Sequence, residues 1–158
     1  MDITNTLSLS DLSETLGVCL VLGAAQTNSI DVSFRLANLV RSARRLSAEH
    51  FGPDSPFETE RRKLVEKHTK TDTNMPDVRE FKSVKDNEEF KAGERLLLKQ
   101  QVSITMPSID RDDLAKIKLF DEVDGKKTRI DITPGQLEVI TWLVPETKSE
   151  LPKSEEKK

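Results

Sequence analysis

The sequence predicts a mostly helical α+β domain, and three observations lead to this fold class. Apolar residues recur at helical spacing through much of the N-terminal half of the chain. Two shorter stretches alternate apolar and polar residues, as half-buried strands do. A late segment opens with TPGQ, which is typical of a helix start. The expected fold therefore has three N-terminal helices plus a fourth, a small antiparallel strand pair and a closing C-terminal helix.

Three helices are predicted in the first 70 residues. The first covers about 10–24, the most apolar part of the chain, and the second covers about 31–50 with an apolar stripe on one face. Gly52-Pro53 and Ser55-Pro56 then interrupt the pattern, because proline disfavours helical geometry in the residue before it. A bend is expected there, with the third helix beginning after it.

A loop and a fourth helix are predicted next. Residues 69–84 lack a helical period and are rich in polar residues and proline, with a short extended piece near 78–81. Asp86 and Glu89 have the spacing of a capping box. The fourth helix is therefore expected at about 86–99.

The two alternating segments are QVSITM, residues 101–106, and TRIDI, residues 128–132. They are predicted to be antiparallel neighbours. Between them, DRDDLAKIKLF is expected to contain a short helix, and Asp124-Gly125 is a typical turn.

The closing helix is predicted at about 134–144, after the capping residue Thr133. Residues 1–144 then form a single domain, and 145–158 form a disordered, charged tail because they lack apolar content. The following residues are expected in the core: Leu16, Leu20, Leu36, Leu39, Val40, Ala43, Leu64, Phe90, Leu97, Val102, Ile104, Ile130 and Leu137.

Composition argues against several kinds of function. The six glycines are scattered, so a phosphate-binding loop is absent from the sequence, and one Cys with two His are too few for a structural zinc site. Cys19 lies among apolar residues and is expected to be buried and inert. The apolar run 16–25 is too short to span a bilayer, which needs about 20 residues. We expect no enzymatic activity, no cofactor, no metal and no membrane partner.

Positive charge is concentrated in residues 35–70, which hold nine bases and five acids, whereas residues 1–34 hold four acids and no base. Nucleic-acid binding is therefore an alternative function, because phosphate binding needs a positive face. It would use Arg41, Arg44, Arg45, Arg62 and Lys63. Arg61 falls inside the apolar stripe of the third helix and is expected to pair with an acid, since an unpaired buried charge is costly.

The closing helix is apolar on more than one side. Leu137, Ile140 and Val144 form a stripe suited to the core, and a second group projects roughly opposite. That second group consists of Val139, Trp142 and Leu143. Either the helix is sandwiched within the domain, or these residues form a protein interface anchored by Trp142.

Several of these segments resemble a family of small proteins encoded by tailed bacteriophages. The resemblance covers residues 10–144 and is carried by RLANLVRSARRL, PFETERRKLVEKH, the EEF helix, QVSITM and DITPGQLEVITWLV. It implies a phage origin and a virion or assembly role, and it transfers no active site. The family pattern is continuous at the position where this chain has its two proline pairs.

These observations predict a phage protein that acts through protein contacts, as a minor virion component or an assembly factor. Its partner would be a second copy of the chain or another virion protein. The alternatives are the nucleic-acid-binding role described above and inhibition of a host protein. The expected location is the cytoplasm of an infected bacterial host or the virion.

Overall fold

A computed structural model describes residues 1–71 and 79–145 of the chain. The helices are α1 (Leu9–Gly23), α2 (Ile30–Phe51), α3 (Pro56–His68), α4 (Val84–Leu98), α5 (Arg111–Ala115) and α6 (Pro134–Ile140), which continues into a 3₁₀ turn, Thr141–Leu143. The strands are β1 (Asp2–Ser8), β2 (Thr69–Thr71), β3 (Arg79–Phe81), β4 (Gln101–Pro107), β5 (Leu119–Val123) and β6 (Lys126–Ile130). The predicted α+β class with small antiparallel strand pairs is confirmed.

Polar side chains fix the helix starts. Ser8, Ser29, Ser55 and Ser83 each accept a hydrogen bond from the backbone N–H three residues later, at the starts of α1 to α4. The predicted capping box beginning at Asp86 is wrong, because Ser83 is the cap and α4 begins at Val84. The predicted capping box at Thr133 is confirmed by both of its hydrogen bonds with Gln136.

The predicted strand pairing is wrong. QVSITM belongs to β4, which pairs antiparallel with the N-terminal strand β1, from Asp2 opposite Pro107 to Ser8 opposite Gln101. TRIDI contributes to β6, which pairs with β5 through a turn at Asp124 and Gly125, both with positive φ. Local alternation identifies a strand but carries no information on its partner, and the N-terminal strand was not predicted at all.

The core lies between α1, α2, β4 and the C-terminal turn. Of the expected core residues, five are buried: Leu16, Leu36, Leu39, Ala43 and Ile104. Five are partly buried: Val40, Leu64, Phe90, Leu97 and Val102. Leu20, Ile130 and Leu137 are each about 40% exposed, so their assignment to the core is wrong. Ile130 lies on the β5–β6 ribbon, and α6 presents Ile140 to the core in place of Leu137.

Helices α3 and α4 pack mainly against each other, and polar contacts hold them together. His68 is the buried residue of α3, and no α4 residue is fully buried. Arg61 Nε donates to Glu94 Oε2 at 2.9 Å, which confirms the predicted pairing of Arg61 with an acid. Its guanidinium also lies 6.0 Å from the centre of the Phe90 ring.

The remaining predictions about chain segments have mixed outcomes. The bend is confirmed, because α2 ends at Phe51 and α3 starts at Pro56. Pro145 is exposed, and the rest of the predicted tail lies outside the described residues, as do residues 72–78 of the predicted loop. No helix in 1–71 or 79–145 combines the length and apolar character required to cross a membrane.

An ion pair joins α2 to α5. The guanidinium of Arg35 donates from Nε to Asp113 Oδ2 at 2.6 Å and from Nη2 to Oδ1 at 2.8 Å. The Asp113 side chain is buried, whereas half of the Arg35 side chain is exposed. These hydrogen bonds from Arg35 hold the pKa of Asp113 below its ordinary value. The pair fixes the connection between β4 and β5 against α2.

We predict that Asp113→Asn lowers the free energy of unfolding at pH 7 by about 1–3 kcal/mol, because charged hydrogen bonds to a buried carboxylate are lost. A carboxylate with a depressed pKa stabilises the fold above its unfolded pKa and loses this effect as pH falls through the folded pKa. The difference between variant and wild type should therefore shrink below about pH 4. Urea titrations at several pH values measure it, and the exposed Asp112→Asn is the control. A difference that does not change with pH would contradict the assignment.

Close approach of α1 to α2 depends on Gly23. A Cβ at this position would overlap Cγ2 of Val40. We predict that Gly23→Ala lowers the free energy of unfolding by about 1–3 kcal/mol through overpacking. Adding Val40→Ala should recover part of the loss. Gly17→Ala is the matched control, because nothing lies within 4 Å of its added Cβ and alanine favours the helix by up to about 1 kcal/mol.

Candidate protein-interaction surface

Helix α2 has an exposed side that is apolar at one end and basic at the other. Its buried residues, Val32, Leu36, Leu39, Ala43 and Leu46, all lie on one face. At 100° per residue the opposite side carries Ile30, Phe34, Ala37, Arg41 and Arg44, and we call these five residues the outward face of α2. Ile30 is 71% exposed and Phe34 is 67% exposed. Two large apolar side chains one turn apart are thus open to solvent in the described part of the chain.

A groove runs beside the outward face, between α1 and α2. Its volume is about 640 Å³. Leu20, Gly23 and Ala24 line it from α1, and Val40, Arg44 and Phe51 are among the residues that line it from α2. The glycine and the alanine keep its floor low, and Leu20 and Val21 leave about 40% of their surface exposed at its edge. The groove therefore extends the apolar surface from α2 onto α1.

Three of the predicted phosphate-binding residues lie together on α2. Arg41 donates from Nη1 to Asn38 Oδ1 at 3.0 Å, and Arg45 Nη1 lies 3.7 Å from Glu49 Oε2. Arg44 forms no ion pair with any residue in the described ranges. All three side chains are exposed. They give the C-terminal half of α2 a positive surface.

The other two predicted phosphate contacts, both on α3, have local partners. Arg62 Nη2 donates to the carbonyl oxygen of Pro53, and Lys63 Nζ lies 3.0 Å from Glu60 Oε1. The acid that accompanies this helix turn therefore neutralises part of its charge. The five cations do not form a single set of unpaired side chains, and the basic surface is mainly that of α2.

The closing segment turns much of its second apolar group inward. Leu143 is fully buried, which removes it from any surface available to a partner. Val139 and Trp142 are partly buried and pack against the core. The indole Nε1 of Trp142 donates to Thr15 Oγ1 at 3.4 Å. These contacts favour the sandwiched arrangement that the sequence left open.

One group of side chains has the composition of a metal site. Nδ1 of His68 and the carboxylates of Asp86 and Glu89 lie within 4.8 Å of one another. His68 Nδ1 is already hydrogen-bonded to Asp86 Oδ1 at 2.9 Å, and Ser83 Oγ donates to Asp86 Oδ2 at 2.7 Å. These two hydrogen bonds, that of His68 first, hold the pKa of Asp86 below its ordinary value. The positive end of the α4 dipole also favours carboxylates and disfavours a cation. The contacts therefore act to fasten α3 to α4.

Cys19 is the chain's one thiol. It is fully buried, and this burial raises its pKa to about 12. A protonated thiol enclosed by apolar side chains is a poor nucleophile. The prediction that Cys19 is buried is confirmed, and the side chain carries no chemistry at neutral pH.

Comparison of the chain with protein-family models, with curated proteins and with solved structures gives no match. The site is therefore argued from its own geometry. The sequence contained a signal for it that was not used: Ile30 and Phe34 lie one turn apart, opposite the predicted apolar stripe of the second helix. Large apolar residues on the polar side of an amphipathic helix indicate a surface that binds a partner.

We predict that Trp142→Ala lowers the free energy of unfolding by about 2–4 kcal/mol, because the indole packs against the core of its own chain. Trp142→Phe should lose less. The fluorescence of this sole tryptophan should be blue-shifted and partly protected from a soluble quencher in dilute protein. An emission typical of an exposed indole that shifts with protein concentration would contradict the packing role and favour the Trp142 interface.

Proposed function

We propose that this protein has no catalytic activity and works by binding another protein through the outward face of α2 and the groove beside it. The observation that carries this proposal is the exposure of Ile30 and Phe34, each more than two-thirds open to solvent. Exposed aromatic and aliphatic side chains beside a groove are typical anchors of protein interfaces. Arginines at the rim add charge that orients a partner.

The biological setting of this binding is proposed from the sequence resemblance alone. A role as a minor virion component or assembly factor of a tailed phage agrees with a small chain that has a charged surface and an exposed binding face. The expected location is then the infected bacterial cell or the particle. Inhibition of a host protein would use the same kind of surface with a different partner.

A second candidate function is nucleic-acid binding, and a specific observation favours it. Arg41, Arg44 and Arg45 are exposed within about one turn of each other, and Phe34 offers a ring on which a base could stack. Against it, the chain has a net charge of −3, and the N-terminal half of α2 presents Ile30 and Asp31 instead of cations. Protein binding uses both halves of the helix and is the better-supported function.

The test of the proposal is in-cell photo-cross-linking. A benzophenone derivative of phenylalanine placed at position 34 should give covalent protein adducts in the cells that make the protein. The same group at the exposed Lys91 of α4 is the matched control and should give few. Absence of protein adducts at position 34, or equal yields at both positions, would contradict the proposal.

Filter binding at two salt concentrations tests the nucleic-acid alternative. Phosphate contacts lower the logarithm of affinity by about 0.9 per contact for each tenfold rise in salt. We predict weak DNA binding with a shallow slope, and little change in Arg44→Gln. Tight binding with a steep slope that Arg44→Gln reduces by about one contact would favour the alternative.

A further inference from the structure

We propose that the partner of the outward face of α2 is a second copy of this chain, with the two α2 helices packed antiparallel about a two-fold axis near Ala37. The inference rests on the proposed function, because it names the occupant of the same surface. It is carried by the order of residues along α2, whose two halves are complementary in shape and charge.

The spacing along α2 supports an antiparallel arrangement. Ala37 lies seven residues after Ile30 and seven before Arg44. In an antiparallel pair centred there, the apolar half of each helix faces the basic half of the other. A parallel pair would instead place Arg41, Arg44 and Arg45 beside their own copies, and like charges at close range repel. The charge pattern therefore selects the antiparallel orientation.

Opposite charges meet at the edge of the same pairing. Asp31 lies at 100° from Ile30 around the helix and Arg45 lies at 60°, so both belong to one flank of the outward face. A two-fold axis brings this flank against the same flank of the second copy. Asp31 then falls level with Arg44 and Arg45 of the other chain. Because the axis repeats each contact, the pairing forms two identical charge clusters.

Phe34 has a place to pack in this arrangement. It falls opposite Val40 and Arg41 of the second copy, beside a groove of about 370 Å³ lined by Gly23, Ala37, Val40, Arg41 and Arg44. The small residues Gly23 and Ala37 leave room for an aromatic ring. The Arg41 guanidinium above that ring would add a cation–π contact. Each copy thus supplies both the ring and the groove that receives it.

Self-complementarity is what a two-fold interface requires, since the same patch must bind itself. Here one helix carries an acid and two large apolar residues in one half, and three arginines beside small residues in the other. A different partner would need its own matching pattern on its own helix. The second copy has that pattern by construction, so it is the occupant that the surface itself specifies.

Cross-linking of the purified full-length chain tests the two-fold axis. Helix axes about 8–10 Å apart leave facing Cα atoms near the axis about 4–5 Å apart, which a disulfide can bridge. Ala37→Cys should therefore form a covalent dimer in high yield under mild oxidation. Lys91→Cys is the control and should form little, and the buried Cys19 should not interfere. Equal yields from both variants would overturn the inference.

A charge swap tests the pairing, with sedimentation equilibrium as the measurement. Asp31→Arg and Arg45→Asp should each weaken self-association by about tenfold, since each replaces attraction by repulsion in two symmetric contacts. The double variant should recover most of the wild-type affinity. Phe34→Ser should weaken association without rescue by either change. Thermal melts confirm that each variant is folded, and a double variant no better than the singles would overturn the proposed register.

The outcomes separate this inference from the proposed function. If the wild-type chain is monomeric at every accessible concentration while position 34 cross-links to another protein in cells, the second-copy inference fails and protein binding stands. If position 34 gives no protein adduct and the chain is monomeric, both fail. Self-association that Phe34→Ser and the charge reversals leave unchanged would place the dimer on another surface and overturn the inference.

Discussion

Pairing between the first and fourth strands is the constraint on which the rest of this structure depends. Seven residues at the N-terminus bind along the whole of β4, about a hundred positions away in the chain. Because α1 begins directly at the end of β1, this pairing also sets where α1 lies. Ile104 and Met106 of β4 are then buried beneath the helices, and the backbone N–H of Ile109 donates to the carbonyl of Leu143. The two ends of the described chain are thereby brought to one core.

The binding surface follows from this arrangement because α2 has one side committed to the core and the other left over. Its buried stripe packs with α1 and β4, and Gly23 allows α1 to approach closely. That approach leaves a shallow groove instead of filled space between the two helices. Close helix packing and an available binding groove therefore have the same origin, a glycine and several alanines at the contact.

Polar contacts take over where apolar burial is thin. Helices α3 and α4 bury little, and they are joined by the Arg61–Glu94 ion pair and by His68 with Asp86. The Arg35–Asp113 pair similarly fastens α5, a helix of five residues, to α2. Charge pairs of this kind fix geometry more than they add stability, because partial exposure to water screens them. The high charge content of the chain, 34% of its residues, thus includes structural contacts as well as solvated surface.

The sequence by itself determined the α+β class, the helices to within about three residues at each end of the main four, the bend, the Thr133 cap and the pairing of Arg61, because spacing, caps and proline act locally. Only the tertiary structure decided that β4 pairs with β1, that Leu143 turns inward and that Leu20 stays outside. Strand partners and the facing of a helix depend on contacts between distant segments. Ile30 and Phe34 show this limit most clearly. Their positions on the helix were readable, but their exposure depended on which neighbours the fold placed around α2.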